Sequence, residues 1–307
     1  MKYNIAVYVV GDFLRETRLR KGYTQEEVSY GICTPASLSR IENGAQKPGR
    51  LILEKLFERL GTENNLFNSF VSREEMELYS AIQELIRNIT DDAVSKIETQ
   101  IEVVEKLAVN TSELEHQCLY FAKGELARQK EKDDEKAMEM YMKAIHITLP
   151  DFDGKNPLRN NLLTFDEIMI INSIAILYGN SENVITAIQL DMWLKEYMEN
   201  KIVDGKMKTT KYPMIMYNLS CWLEDKGCYR EELRMAEQGI DFCVKYGNLA
   251  LFPKLVLNKG GALVKMGDNE NARKYLHQAI TIFDAMGKLE IVQQVTAWCK
   301  DNCEFEI

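Results

Sequence analysis

Three asparagines could hold the main chain of an extended ligand. Asn172, Asn218 and Asn258 are each followed three residues later by a small residue, Ala175, Cys221 and Gly261. An Asn amide presents a donor and an acceptor together, the pair that a peptide unit also carries. Asn218 and Asn258 hold matched places in two stretches, YNLSCWLEDKGCYREELRMAEQGIDFCVKYG and LNKGGALVKMGDNENARKYLHQAITIFDAMG, which align at an offset of 40 without a gap. Tyr217 then matches Leu257, Leu223 matches Leu263, Gly227 matches Gly267 and Ile240 matches Ile280. A weaker copy from Ile171 carries Asn172, and another lies around Tyr120 to Gly124 with Ala137, Tyr141 and Ala144. Lys254 and Lys265 fall on the face of Asn258 and suit a terminal carboxylate or an acidic side chain. Tyr217 neighbours the series, while Tyr178 and Tyr212 could wall a pocket. Asparagines that bond only their own neighbouring helices would explain the same register.

Other chemistries find no support. There is no nucleophile elbow, phosphate loop or metal-ligand cluster, and His116, His146 and His277 stand apart. The 7 cysteines are odd in number, scattered and without a CxxC pair, which fits reduced cytosolic thiols. Cys299 and Cys303 share a helix face and read as small buried apolar residues. No enzyme and no cofactor is expected. The opening MKYNIAVYVVGDF lacks the features of a signal peptide, and no run of 18 apolar residues exists to cross a membrane, so a cytoplasmic location is expected.

The elements that would position these residues are helical. Only 6 prolines occur in 307 residues, and no long stretch alternates apolar and polar. From Met76 to Ile89 apolar residues recur at three and four. The N-terminal part breaks into short helices. One runs from Asp12 to Arg20 and stops at Gly22. Thr24-Gln25-Glu26-Glu27 is a capping box that opens a second helix, broken at Gly31. Thr34 caps a third, with Pro35 at its first position and a stop at Asn43-Gly44. A fourth runs from Leu51 to Leu60. Charge divides the same way. The formal net charge is −9, yet residues 1–70 hold 10 Lys/Arg against 8 Asp/Glu while the remainder holds 28 against 39. Two jobs in two regions are implied.

Two helices joined by a tight Gly-containing turn make a helix-turn-helix arrangement. Here Arg18, Gly22, Thr24 to Glu27, Gly31, Ser39-Arg40-Ile41-Glu42-Asn43-Gly44, Pro48 and Leu60-Gly61 resemble the lambda-repressor-like (Xre/Cro) family. The resemblance implies that the third helix enters the major groove of double-stranded DNA. Thr34, Pro35, Ala36, Ser37 and Arg40 would face the bases, with Arg40 as the guanine reader. Gln25 would reach a phosphate, and Lys47 and Arg50 would clamp the backbone. Arg18 and Glu42 are expected to pair internally.

The last repeat, with Gly260, Leu263, Ala272, Leu276 and Ala279, resembles the tetratricopeptide pattern. That implies an all-α chain: a helix-turn-helix domain over 1–65, a linker over 66–75, and a right-handed solenoid of helical hairpins over 76–307 whose first helices line a concave face. This combination resembles the Rgg/PlcR/PrgX (RNPP) group of peptide-pheromone sensors. What it implies is a quorum-sensing transcription regulator. It would form a homodimer through the repeats, bind a short oligopeptide in the groove at Asn172, Asn218, Asn258, Lys254, Lys265, Tyr178 and Tyr217, and pivot at a hinge from Thr62 to Arg73. A repeat body that grips a partner protein instead remains the alternative.

Overall fold

The computed structural model describes residues 5–62, 73–90, 94–108, 113–158, 161–201, 203, 205–247 and 249–303. The expected linker and hinge fall mostly on 63–72, outside the described residues. Every described element is helical, as expected. The chain divides into two compact units, residues 1–177 with 202–204, and residues 178–201 with 205–307.

The first unit opens with four short helices: α1 (Ile5–Arg20), α2 (Gln25–Ser29), α3 (Pro35–Glu42) and α4 (Arg50–Arg59). The Thr24 capping box is complete. Glu27 N–H donates to Thr24 Oγ1 at 3.1 Å, and Thr24 N–H donates to Glu27 Oε2 at 2.7 Å. Thr34 caps α3 by accepting from Ser37 N–H at 3.1 Å. Helix α1 begins seven residues before the expected Asp12 start. Gly11 permits this, because a Cβ there would lie 2.2 Å from the Ile41 carbonyl oxygen, so α1 and α3 touch through main chain.

The rest of the unit contains α5 (Arg73–Thr90), α6 (Val94–Leu107), α7 (Glu113–Leu126), α8 (Asp134–Thr148) and most of α9 (Phe165–Gly179). Helices α5 to α8 pack each on the next. Between α7 and α8 a π-type turn, Ala127–Glu131, ends at Lys132 in a left-handed conformation, φ 59°. The acidic segment Glu131 to Glu135 is exposed, as a solvated turn should be. Beneath it Glu125 is buried and fully engaged: Tyr141 Oη and Ser173 Oγ each donate to Oε1 at 2.7 Å, and Arg128 Nη2 donates to Oε2 at 2.6 Å. The four-helix head is not a separate ball. Its core of Leu14, Val28, Leu38, Ile41, Leu56 and Phe57 continues into Leu114 of α7 and into Leu162.

The second unit holds α10 (Val184–Asn200), α11 (Gly205–Asp225), α12 (Tyr229–Tyr246), α13 (Phe252–Lys265), α14 (Asn269–Ala285) and α15 (Leu289–Asn302). Each helix packs on the next in chain order, and α11 also meets α13. The 40-residue register holds at the turns, since Gly227 and Gly267 both take positive φ, at 70° and 80°. Gly260 gives α14 its close approach: a Cβ there would stand 2.7 Å from the Leu276 side chain.

Two glycines separate the head's own stability from its contact with the body. Gly22 (φ +75°) has nothing near its absent Cβ, whereas at Gly31 (φ +67°) a Cβ would lie 2.1 Å from the Thr148 carbonyl oxygen. Left-handed backbone alone costs an L-residue about 1–2 kcal/mol. Gly22→Ala should lower stability by about that amount, and Gly31→Ala by at least about 2 kcal/mol more, because backbone must shift. Urea unfolding of the two variants checks this; equal losses would place Thr148 away from the head.

Candidate nucleic-acid interface and ligand groove

Helix α3 presents Thr34, Pro35, Ala36 and Arg40 to solvent, with Ser37 half-buried between them. Its other side, Leu38 and Ile41, is core at 0% and 1% exposure. The expected base-facing residues therefore share one open face. Lys47 is exposed beyond it. Arg50 is not: it is buried, with its guanidinium 5.0 Å from the centre of the Tyr79 ring and its backbone N–H donating to Glu75 Oε1 at 2.8 Å. Packing against α5 takes it away from any phosphate. Gln25 also differs from expectation. Its amide donates to Glu42 Oε2 at 2.7 Å, because Glu42 is buried beside it and already bound to Arg18 by two bonds of 2.7 and 2.9 Å.

What fixes α3 in space is a buried seam of charge between α4 and α9. Lys55 Nζ lies 2.8 Å from Asp166 and 3.2 Å from Glu58. Arg59 Nη2 lies 2.7 Å from Glu167, and Arg59 Nη1 donates to the Tyr30 carbonyl. Phe165 N–H donates to Glu58 Oε2 at 2.9 Å, and the Tyr30 hydroxyl donates to Asp151. Lys55, Arg59 and Glu167 are all buried. Charges taken from water cost several kcal/mol each unless paired, and breaking such a pair costs about 3–5 kcal/mol. The head is thus fastened through α2 and α4, and α3 is left open.

The groove residues divide between the units. Asn172 lies in the first and is buried at 2% exposure, so its amide is not on an open surface. Asn218 and Asn258 lie in the second. Asn218 Nδ2 donates to Asp191 Oδ2 at 3.3 Å, tying α11 to α10. Asn258 Nδ2 donates to Ser220 Oγ at 2.7 Å and to Cys221 Sγ at 3.3 Å, tying α13 to α11. The amide hydrogens of Asn258 are used within the protein, so its remaining offer to a ligand is the carbonyl oxygen. Lys254 Nζ stands 5.4 Å from the centre of the half-buried Tyr217 ring. Lys265 is exposed, 5.8 Å from the Trp298 ring centre and 3.3 Å from Asn302 Oδ1. Tyr178 is half-buried at the end of α9, and the Tyr212 hydroxyl donates to Glu199 at 2.6 Å. No group of three or more metal-ligating side chains occurs among the described residues, and none of their helices is long and apolar enough to cross a membrane.

Two regions of the chain match known families. Residues 9–70 match a helix-turn-helix domain, and residues 155–302 match the RNPP family C-terminal domain. The chain belongs to the RNPP family. Over 63 residues this RNPP chain is 38% identical to the uncharacterized HTH-type transcriptional regulator YqaF of Bacillus subtilis (strain 168), spanning 20% of this chain and 83% of that one. Its fold is similar to that of Bacillus thuringiensis PlcR in complex with the peptide PapR7 and DNA, at 19% identity and TM-score 0.61, over 94% of this chain and 99% of that one. Apo PlcR gives 17% and 0.59, over 94% and 98%. The apo form of the competence regulator ComR from Streptococcus vestibularis gives 14% and 0.52, over 97% and 99%.

In this RNPP chain the seam is what sequence reasoning missed. One signal was present: Thr164-Phe165-Asp166-Glu167 is a capping box ahead of an apolar run, with Thr164 N–H donating to Glu167 Oε2 at 2.6 Å. That box turns the Glu167 carboxylate toward the helix start, where its other oxygen meets Arg59. The seam also shifts the titration of one of its carboxyls. Burial pushes the Glu58 carboxyl up to about 8, against the opposing pull of Lys55 and with Asp166 and Glu54 adding to the rise. A carboxyl raised in the folded state keeps a proton that the unfolded chain has released. Its contribution is full below the unfolded value of 4.5 and declines as pH rises toward about 8. Glu58→Gln preserves an acceptor for Phe165 N–H and has no proton to lose. Its Tm should fall less than that of the wild type between about pH 5 and pH 8; parallel Tm curves would put the proton elsewhere.

Proposed function

We propose that this chain is a transcription regulator that reads duplex DNA with α3 and responds to a short peptide held by its repeat body. The observation that carries the reading is the open face of α3. Thr34, Ser37 and Arg40 point outward from a helix whose inner side is core and whose head is pinned to α9. An exposed helix with short polar residues and one arginine fits the major groove, where a guanidinium meets guanine O6 and N7 together. Lys47 supplies a phosphate contact at the edge. The family supports the regulatory role, and the PlcR complex, which contains both peptide and DNA, supports the pair of ligands.

Two copies of the chain, joined through the repeats, set two heads on a site of two halves. Asn218, Asn258, Lys254, Lys265 and Tyr217 form the peptide side of the body. Asn258 accepts from a ligand N–H, and the lysines meet a carboxylate. A peptide shifts the heads only by preferring one placement over the other. The protein works in the cytoplasm, catalyses no reaction and needs no cofactor.

Equilibrium binding of the full chain to the DNA upstream of its own gene tests the first half. Arg40→Ala should reduce the preference for that DNA over a scrambled duplex at least about tenfold, with Tm unchanged. Retained preference would remove α3 as the reader. The same assay with short synthetic peptides encoded beside the gene tests the second half. Asn258→Ala should weaken the response to peptide and leave basal DNA binding intact; loss of both together would make Asn258 structural.

A further inference from the structure

Arg40 is held in place by its neighbours. Its Nε donates to Gln46 Oε1 at 3.1 Å, and Nη2 donates to Ser37 Oγ at 3.2 Å. Ser37 is held in turn, since Thr34 Oγ1 donates to Ser37 Oγ at 3.0 Å and accepts from Ser37 N–H. A string of four side chains thus runs from the cap of α3 to the loop beyond it. Gln46 reaches Arg40 because the chain folds back over the last turn of α3. Ala45 N–H and Gln46 N–H both donate to the Arg40 carbonyl, at 2.8 and 3.2 Å, past Gly44 at φ +67°.

The donor count decides what this string leaves open. A guanidinium has five N–H donors in one plane and no acceptor. Gln46 takes the Nε hydrogen and Ser37 takes one on Nη2. The end of the group, with Nη1 and the second Nη2 hydrogen, still points away from the helix, and two parallel N–H bonds are what O6 and N7 of guanine accept. A long arginine left free would sample several rotamers and could turn its Nε edge, or one Nη alone, toward other acceptors. Gln46 lies outside α3, in the loop that follows it.

We propose that Gln46 is a positioning residue for sequence readout, which fixes the Arg40 guanidinium so that only its Nη1–Nη2 end meets a base and one guanine is selected at one place in the site. The inference rests on the reading of α3 as the DNA-facing helix. Gln46 itself touches no base. It acts by removing the wrong orientations of Arg40 before DNA arrives.

The test uses full-length protein and a pool of duplexes with a randomised centre. Selection by the wild type gives its preferred site. Arg40→Ala then identifies the base pair whose identity ceases to matter. Gln46→Leu keeps the bulk and loses the acceptor; Gln46→Glu keeps an acceptor for Nε. At that base pair Gln46→Leu should lower discrimination about five- to tenfold, the worth of one hydrogen bond. Discrimination elsewhere and the slope of log K against log salt should stay as in the wild type. Gln46→Glu should keep the discrimination, with overall affinity weakened by a negative charge near phosphates. Unchanged discrimination in Gln46→Leu overturns the proposal. So does an equal loss at every position or a shallower salt slope, either of which would make Gln46 a phosphate contact or a fold residue. If Arg40→Ala erases a preference that Gln46→Leu keeps, the inference alone falls; if Arg40→Ala leaves every preference intact, the reading of α3 falls with it.

Discussion

The buried pairing of Lys55 and Arg59 with Asp166 and Glu167 is the constraint on which the first unit depends. Such pairs add little net stability over a hydrophobic contact of equal size. What they exclude is alternatives: a head turned by a few ångströms would strand an ammonium, a guanidinium and two carboxylates away from both water and partner. The seam therefore sets where the head sits more sharply than the shared core around Leu114 and Leu162 could by itself. Apolar contact tolerates sliding; a charge pair at 2.7 Å does not.

The same logic recurs inside the head at a smaller scale. Glu42, at 1% exposure, collects Arg18 and Gln25, which locks the end of α3 to α1 and to the start of α2. Gln25 is thereby drawn inward from the phosphate contact expected of it. With α1, α2 and α4 all engaged in fastening, α3 is the helix that has an unfastened face. Function here follows from what the packing leaves over.

Local rules were legible in the sequence, and long-range partners were not. The Thr24 box, the Thr34-Pro35 start and the Asn43-Gly44 stop each depend on residues within one or two turns, and each holds. The repeat register is equally legible, because packing of one hairpin on the next demands small residues such as Gly260 and Ala279 at fixed places. Arg50 illustrates the limit. It follows α3 at a position suited to a phosphate clamp, but its side chain stacks on Tyr79 and its backbone N–H bonds Glu75, which no spacing rule connects to it. Asn258 illustrates the other kind of limit: the register puts it in α13 where Asn218 stands in α11, while the partners of its amide, Ser220 and Cys221, narrow what it can offer.

Charge shows how far a count from sequence departs from the field a ligand meets. Residues 1–70 carry a formal excess of basic groups, yet Arg18, Arg50, Lys55 and Arg59 are buried and paired or stacked, so they contribute little toward a duplex. The exposed cations Arg15, Arg20, Arg40 and Lys47 set that field instead. The acidic excess of the remainder is overstated in the same way. Asp191 and Glu232 are both at 0% exposure, and neither has a cation bonded to it. Burial pushes Asp191 well above its ordinary range and Glu232 up to about 8, where Glu224 adds to the rise and Lys265 opposes it. Glu232 stands 40 residues before Ala272, in the place where the next repeat packs a methyl group. Near neutral pH such a group spends most of its time as a neutral acid, which is how a carboxyl can occupy a small residue's position without splitting the hairpin that holds it.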